Sequence, residues 1–282
     1  LPRRVVLRRR PQASGHNHHA LFACQLLQSA QDGLRIHHQG DLEKEAPGRF
    51  VSVENLDLPS ELKDEVDSRY SDGLFRHQHL SIESILAGQH TVVSTTTSSG
   101  KSLIHILPIL KRLIEDPKAT VLLVYPQKAL ANDQLLKIRE LASTIPSLRE
   151  EMRRNEYLIS RFDGATDKEI RNDIKENARV ILTNPEMLHL SILQYHSPRW
   201  SRLLENLSYV VIDECHEYRG IFGTNVSYIF RRLRQLCLNY SSSPLFIATS
   251  ATVNNPGVHL ESLTGVAFQA IGPEEDGSVR GR

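Results

Sequence analysis

The sequence predicts an α/β fold, a mostly parallel sheet carrying helices on both faces. Three observations predict it. Six short, nearly all-apolar runs alternate with segments of helical spacing. The first run breaks at a small polar stretch containing Gly100 and Lys101 and leads directly into a helical pattern. A later run ends on two adjacent acids, Asp213 and Glu214.

Taken in order, Asp41 to Ser71 is charged and loop-like, with a short helix expected over Ser60–Arg69 and Ser60 as its cap. The pattern tightens from Leu74. A helix is expected over Arg76–Ala87, then a β-branched strand over Thr91–Thr95. Apolar residues recur at helical spacing over Lys101–Leu110. Thr120–Tyr125 reads as a second buried strand, with a helix from Lys128. The remaining strands are Tyr157–Phe162, Arg179–Thr183, Tyr209–Ile212 and Leu245–Ala248. In such sheets ligands bind beyond the carboxyl ends of the strands, and every candidate functional residue falls at such an end.

Composition narrows the field. A chain of 282 residues with 40% apolar content builds a sizeable core in one large domain or two small ones. The formal net charge is +1, so a nucleic-acid contact would be a local stripe. Cys24, Cys215 and Cys237 have neither metal nor disulfide spacing, which suggests a reducing compartment. No apolar run approaches the length of a membrane span. Residues 1–40 form a basic segment: Leu1 to Gln31 contains no acid and carries Arg3, Arg4, Arg8, Arg9 and Arg10. It reads as a disordered basic tail, ahead of a nuclear-localisation patch or an organelle transit peptide. His16, His18, His19, His37 and His38 have no Cys or acidic ligand at useful spacing.

Two segments carry the chemistry. Strand, small polar loop, helix is the context a phosphate-binding loop needs. The loop Ser94–Ser102 supplies Thr95, Thr96, Thr97, Ser98, Ser99 and Gly100, then Lys101 and Ser102. Its backbone N–H groups would cradle phosphate at a helix N-terminus. Lys101 would reach the β- and γ-phosphates of ATP, and the Ser102 hydroxyl would bind Mg2+. The strict pattern has Gly where Thr95 stands. The partner segment is Val210–His216, where Asp213 would hold Mg2+ through water and Glu214 would orient and deprotonate the attacking water. Together they predict ATP hydrolysis.

These motifs, with several others in fixed order, resemble the first RecA-like lobe of a superfamily 2 helicase with a DExH box, a P-loop NTPase fold. More narrowly the chain resembles the RecQ-related Hrq group and its bacterial YprA-like (MrfA) relatives, over roughly Gly33 to Gly265. The resemblance implies that Gln78, in Leu74–Gln78, reads the adenine edge while Phe75 lines the base. Tyr125–Gln134 resembles motif Ia, placing Pro126 and Lys128 on the nucleic-acid track, with Gln127 where the family more often has Thr. Asp163–Thr166 resembles a strand-track turn at Gly164. Thr183–His189 resembles motif Ib, where Thr183 and the helix N-terminus after Pro185 would bind phosphate oxygens and Asn184 would lie on the same track. Arg231, Arg232 and Arg234 sit on a helix and could face DNA, against a solvated helix face with ion pairs, the reading favoured for at least two of them. Thr249–Thr252 resembles motif III, in which Ser250 and Thr252 would couple the ATP site to the track with His216 as partner.

On this reading residues 41–73 are a lead-in, 74–270 the ATP-binding lobe and 271–282 a tail. The second RecA-like lobe is absent from the chain, which begins at Leu1 and reads as a fragment, a processed product or an imperfect gene model. The expected activity is nucleotide binding and weak nucleic-acid binding, with poor turnover until a second lobe completes the site. The parent would be a nuclear DNA-repair helicase moving 3′ to 5′ on single-stranded or forked DNA, with no membrane role and oligomeric state left open. An RNA-remodelling ATPase and a truncated, non-catalytic binding module are the alternatives.

Overall fold

The computed structural model describes residues 49–96 and 99–278. The expectations for residues 1–40, Cys24 among them, and for Thr97 and Ser98 lie outside these residues.

Strands β1 (Phe50–Val51) and β2 (Leu74–Phe75) form a small antiparallel pair. The main sheet contains β3 (Thr91–Ser94), β4 (Thr120–Val124), β5 (Ile159–Arg161), β6 (Val180–Thr183), β7 (Leu207–Ile212), β8 (Leu245–Ser250) and β9 (Gln269–Ile271). All seven are parallel, in the order β5-β6-β4-β7-β8-β3-β9. Every position of β3, β4 and β6 is buried, as expected of strands covered on both faces.

The two-residue period of a strand sends successive side chains to opposite cores. Val93, Val121, Leu123, Val211 and Ile247 face one core. It is completed by α1 (Ser60–Arg69), α2 (Arg76–Leu86), α3 (Ser102–Glu115), α4 (Lys128–Thr144) and α5 (Pro146–Arg154). Val92, Leu122, Val124, Val210, Ile212 and Ala248 face the other. That core is covered by α6 (Arg171–Asn177), an irregular helical passage over 185–205, α7 (Gly220–Asn239) and α8 (Pro256–Thr264).

Register positions the site. Ser94 of β3 lies opposite Ser250 of β8, and Ile212 of β7 lies opposite Ala248. The loop after β3, the end of β8 and the acids after β7 therefore meet at one edge of the sheet.

Several expectations need correction. β9 has no apolar run to announce it; two of its three residues are exposed, and it exists because β3 offers it an edge. Ser60 does not cap α1: Pro59 holds that position, and no side-chain cap bond forms. The helix after Lys101 continues to Glu115 despite Pro108, because the stretch around the proline, Ile104 to Leu110, is wholly buried by tertiary packing. The lead-in packs into the main core through Leu62 and Val66. Among the described residues no helix is long and apolar enough to cross a membrane.

Candidate functional site

The phosphate loop leaves β3 at Ser94, whose hydroxyl donates to Ala251 O (3.0 Å) and accepts from Val253 N (3.0 Å). The loop is therefore anchored to the segment after β8. Thr95 and Ser99 hydroxyls meet at 2.8 Å and draw the two flanks together. Thr95 has no positive φ, so the Gly of the strict pattern is not required here. Gly100 does need to be glycine: its φ is +75°, and a Cβ would lie 2.5 Å from Gln78 Nε2. Lys101 is half-buried and donates to Thr95 O (3.1 Å) and Thr96 O (2.6 Å), holding its ammonium inside the loop. Burial lowers its pKa, and Glu214, Asp213 and Asp276 pull it back up.

Asp213 directly follows β7 and is nearly buried. Its Oδ1 accepts from the Thr249 hydroxyl and from Glu214 N (3.0 Å). Glu214 sits at φ +48°, a left-handed conformation uncommon for a residue with a side chain and frequent at functional sites. Its carboxylate lies 3.2 Å from His216 Nδ1. Burial raises the Glu214 pKa, and the Asp213 charge adds to the effect. The Ser102 hydroxyl accepts from Gln134 Nε2 (3.0 Å), which orients it at the start of α3.

Behind the acids, His216 Nδ1 also lies 3.4 Å from Ala251 N. A single ring nitrogen cannot give a proton to Glu214 and accept one from Ala251 at once. The coupling hydroxyls differ from expectation. Ser250 is fully buried beside the Cys215 thiol and meets no nitrogen or oxygen partner among the described residues. Thr252 is exposed. The link to the acids is made by Thr249 instead. Burial pushes the Cys215 thiol up to about 12 and the Cys237 thiol to about 11, which disfavours the reactive thiolate at each.

A lysine in a strand–loop–helix turn, faced by paired acids from the strand one removed across β8, is the arrangement of a nucleoside-triphosphatase. The profile of the DEAD/DEAH box helicases matches residues 75–259. The chain belongs to the DEAD/DEAH box helicase family. The ATP-dependent helicase YprA of Bacillus subtilis is 37% identical over 225 residues, 80% of this chain and 29% of YprA. HRQ1 of Saccharomyces cerevisiae is 40% identical over 212 residues, 74% of this chain and 19% of HRQ1. The solved structure of the DUF1998 helicase MrfA bound to DNA and AMPPNP is 33% identical with a TM-score of 0.76, covering 83% of this chain and 31% of that one. The chain thus spans less than a third of the length of these three relatives, corresponding to the first RecA-like lobe.

Beside the helicase phosphate loop lies a cavity of about 450 Å³, lined in part by Phe50, Tyr70, Phe75, Gln78 and Leu103. The Phe50 and Phe75 rings meet at a tilt of 30° with centroids 5.0 Å apart. Gln78 is almost buried, and both ends of its amide are bonded: Oε1 accepts from Phe75 N at its own helix start and Nε2 donates to Gly100 O of the loop, both at 2.9 Å. Phe50 and Tyr70 come from the lead-in, where no motif marks them.

The residues expected on the strand track divide. Lys128 and Gly164 lie together, with the ammonium 3.6 Å from where a Gly164 Cβ would stand, and Pro126 precedes Lys128 by two positions after β4. Thr183 is buried and its hydroxyl donates to Phe162 O (2.7 Å), which corrects the expectation that it meets phosphate. Asn184 caps the following helix by accepting from Met187 N (2.8 Å). The α7 arginines serve the fold: Arg231 donates to Ser262 O, Arg232 to Leu193 O, and Arg234 to Thr264 O and Gly265 O.

Proposed function

We propose that this chain is the ATP-binding lobe of an ATP-dependent DNA helicase, in which ATP hydrolysis drives strand translocation once a second lobe is present. The supporting observation is that Lys101, Ser102, Asp213 and Glu214 converge at one sheet edge and are tied to the end of β8 through Thr249 and His216. Phosphoryl transfer needs chiefly positioning and charge stabilisation. Lys101 would release the loop carbonyls and turn to the β- and γ-phosphates. Glu214, with its raised pKa, is suited to hold the attacking water and take its proton. The donor set at the acids is hard oxygen, which fits Mg2+. Ser102 and Asp213 would hold the ion, and it would neutralise phosphate charge. Among the described residues no three His, Cys, Asp or Glu side chains gather to hold a metal, so the other ligands would be water and phosphate.

DNA as the polymer rests on the likeness to MrfA, which was solved on DNA. The resemblance to the Hrq group is the support for 3′ to 5′ polarity, DNA repair and a nuclear location. The phosphate contacts fall to Lys128, Gly164 and the backbone after Thr183.

The test is ATP turnover with and without single-stranded DNA, with Lys101→Ala as control. Loss of turnover by about 10²–10³-fold in the variant is expected from removing a preorganised cation. Turnover stimulated by RNA and not by DNA would replace the DNA reading with RNA remodelling. Nucleotide binding without turnover is the result expected where the second lobe is needed.

A further inference from the structure

The segment after β9 returns to the phosphate loop. Asp276 is buried, and its Oδ2 accepts from the Thr96 hydroxyl (2.9 Å) and Thr96 N (3.3 Å). Its Oδ1 accepts from Ser278 N (3.0 Å) and the Ser278 hydroxyl (2.7 Å). Burial by itself would raise this carboxyl, but the hydrogen bonds from Ser278 and Thr96 outweigh it and hold it down to about 2.

The other flank of the loop is held by His77, which is fully buried on α2. Its Nε2 lies 3.0 Å from Ser99 O, a contact that requires the proton on that nitrogen. Nδ1 is then free to accept from Gly277 N (3.4 Å), and it lies 3.6 Å from Asp276 Oδ1. Burial lowers the His77 pKa, consistent with this neutral tautomer. Gly277 itself cannot carry a side chain, because a Cβ would lie 2.7 Å from Arg49 O and 2.8 Å from Arg76 N. One assembly therefore grips the loop at Thr96 and at Ser99, on either side of Thr97 and Ser98.

We infer that Asp276 and His77 clamp the two flanks of the phosphate loop, and that Asp276 is a positioning residue, acting through Thr96, that sets the affinity of the site for nucleotide. The inference rests on the ATP-binding reading above and deepens it. Asp276 fixes the direction in which the Thr96 backbone enters the cradle. A preorganised loop binds phosphate without first losing its own freedom.

The test is the dissociation constant of a fluorescent ADP analogue with Mg2+, measured on the whole 282-residue chain. Asp276→Ala is expected to weaken binding about tenfold, the weight of one charge-assisted hydrogen bond. Asp276→Asn keeps an acceptor for Thr96 and is expected to recover most of that loss. Thr96→Val removes the hydroxyl but leaves the backbone intact. It is expected to weaken binding about threefold in the wild type and to add nothing once Asp276 is Ala. It also stands in if Asp276→Ala does not fold. Wild-type affinity in folded Asp276→Ala or in Thr96→Val, even with a lowered melting temperature, would overturn the clamp alone. Absence of binding by the wild-type chain would overturn the nucleotide site and the clamp with it.

Discussion

The Thr249 hydroxyl donates to the Asp213 carboxylate, so the end of β8 is bonded directly to the acid expected to hold magnesium. A hydrogen bond to a metal-holding carboxylate typically accounts for 10–100-fold in metal affinity. Thr249→Val, which keeps the shape and removes the donor, is expected to raise the Mg2+ concentration for half-maximal nucleotide binding about tenfold. A Mg2+ titration of nucleotide binding measures this, and Ser250→Ala should leave the same titration unchanged.

Gly100→Ala places a methyl 2.5 Å from Gln78 Nε2 on a backbone with φ +75°. The left-handed conformation alone costs about 1–2 kcal/mol for a residue with a Cβ. Urea denaturation should show a loss of that size, together with weakened nucleotide binding as the Gln78–Gly100 bond breaks. A stable variant with intact affinity would show that the loop does not depend on this turn.

His105 is buried, and both ring nitrogens lack a hydrogen-bond partner among the described residues. Burial holds its pKa down to about 4 against the usual 6.5, with Asp213 pulling the other way. Between these values the unfolded chain binds more protons than the folded one, so stability rises with pH through the window and falls as pH drops. His105→Leu should be more stable at pH 7 by about 1 kcal/mol. Denaturation midpoints taken from pH 7 down to 5 should fall less steeply in the variant than in the wild type.

Burial, and then the Asp213 charge, raise the Glu214 pKa above 4.5. The folded state then keeps its proton to higher pH than the unfolded state. This carboxyl favours folding below about 4.5, and that contribution is lost as pH rises through the raised value. Glu214→Gln should melt at higher temperature than wild type at pH 7 and lose the advantage near pH 4, while ATP turnover disappears. Equal melting temperatures at both pH values would argue against a charge held at a stability cost.

Much of this was legible in the chain. The alternation of buried runs announced the parallel sheet, and the loop around Lys101 and the acids after Ile212 marked its functional edge. What escaped had no periodic signal. β9 is short, exposed and held by its neighbour. Gln134, on α4, orients Ser102 from 32 positions away. Asp276 lies 180 positions from Thr96 and belongs to no motif. Thr183 and Asn184 lay in a recognisable segment, yet their side chains turn to Phe162 O and Met187 N.

Local order along the chain was enough to specify the strands, the phosphate loop and the paired acids, because periodicity and turn chemistry act between near neighbours. Tertiary structure alone decided which hydroxyl meets Asp213, where the Gln78 amide is committed, and which carboxylate grips Thr96. These are short, directional bonds between residues far apart in sequence, and only the register of β3, β7, β8 and β9 brings their atoms within reach.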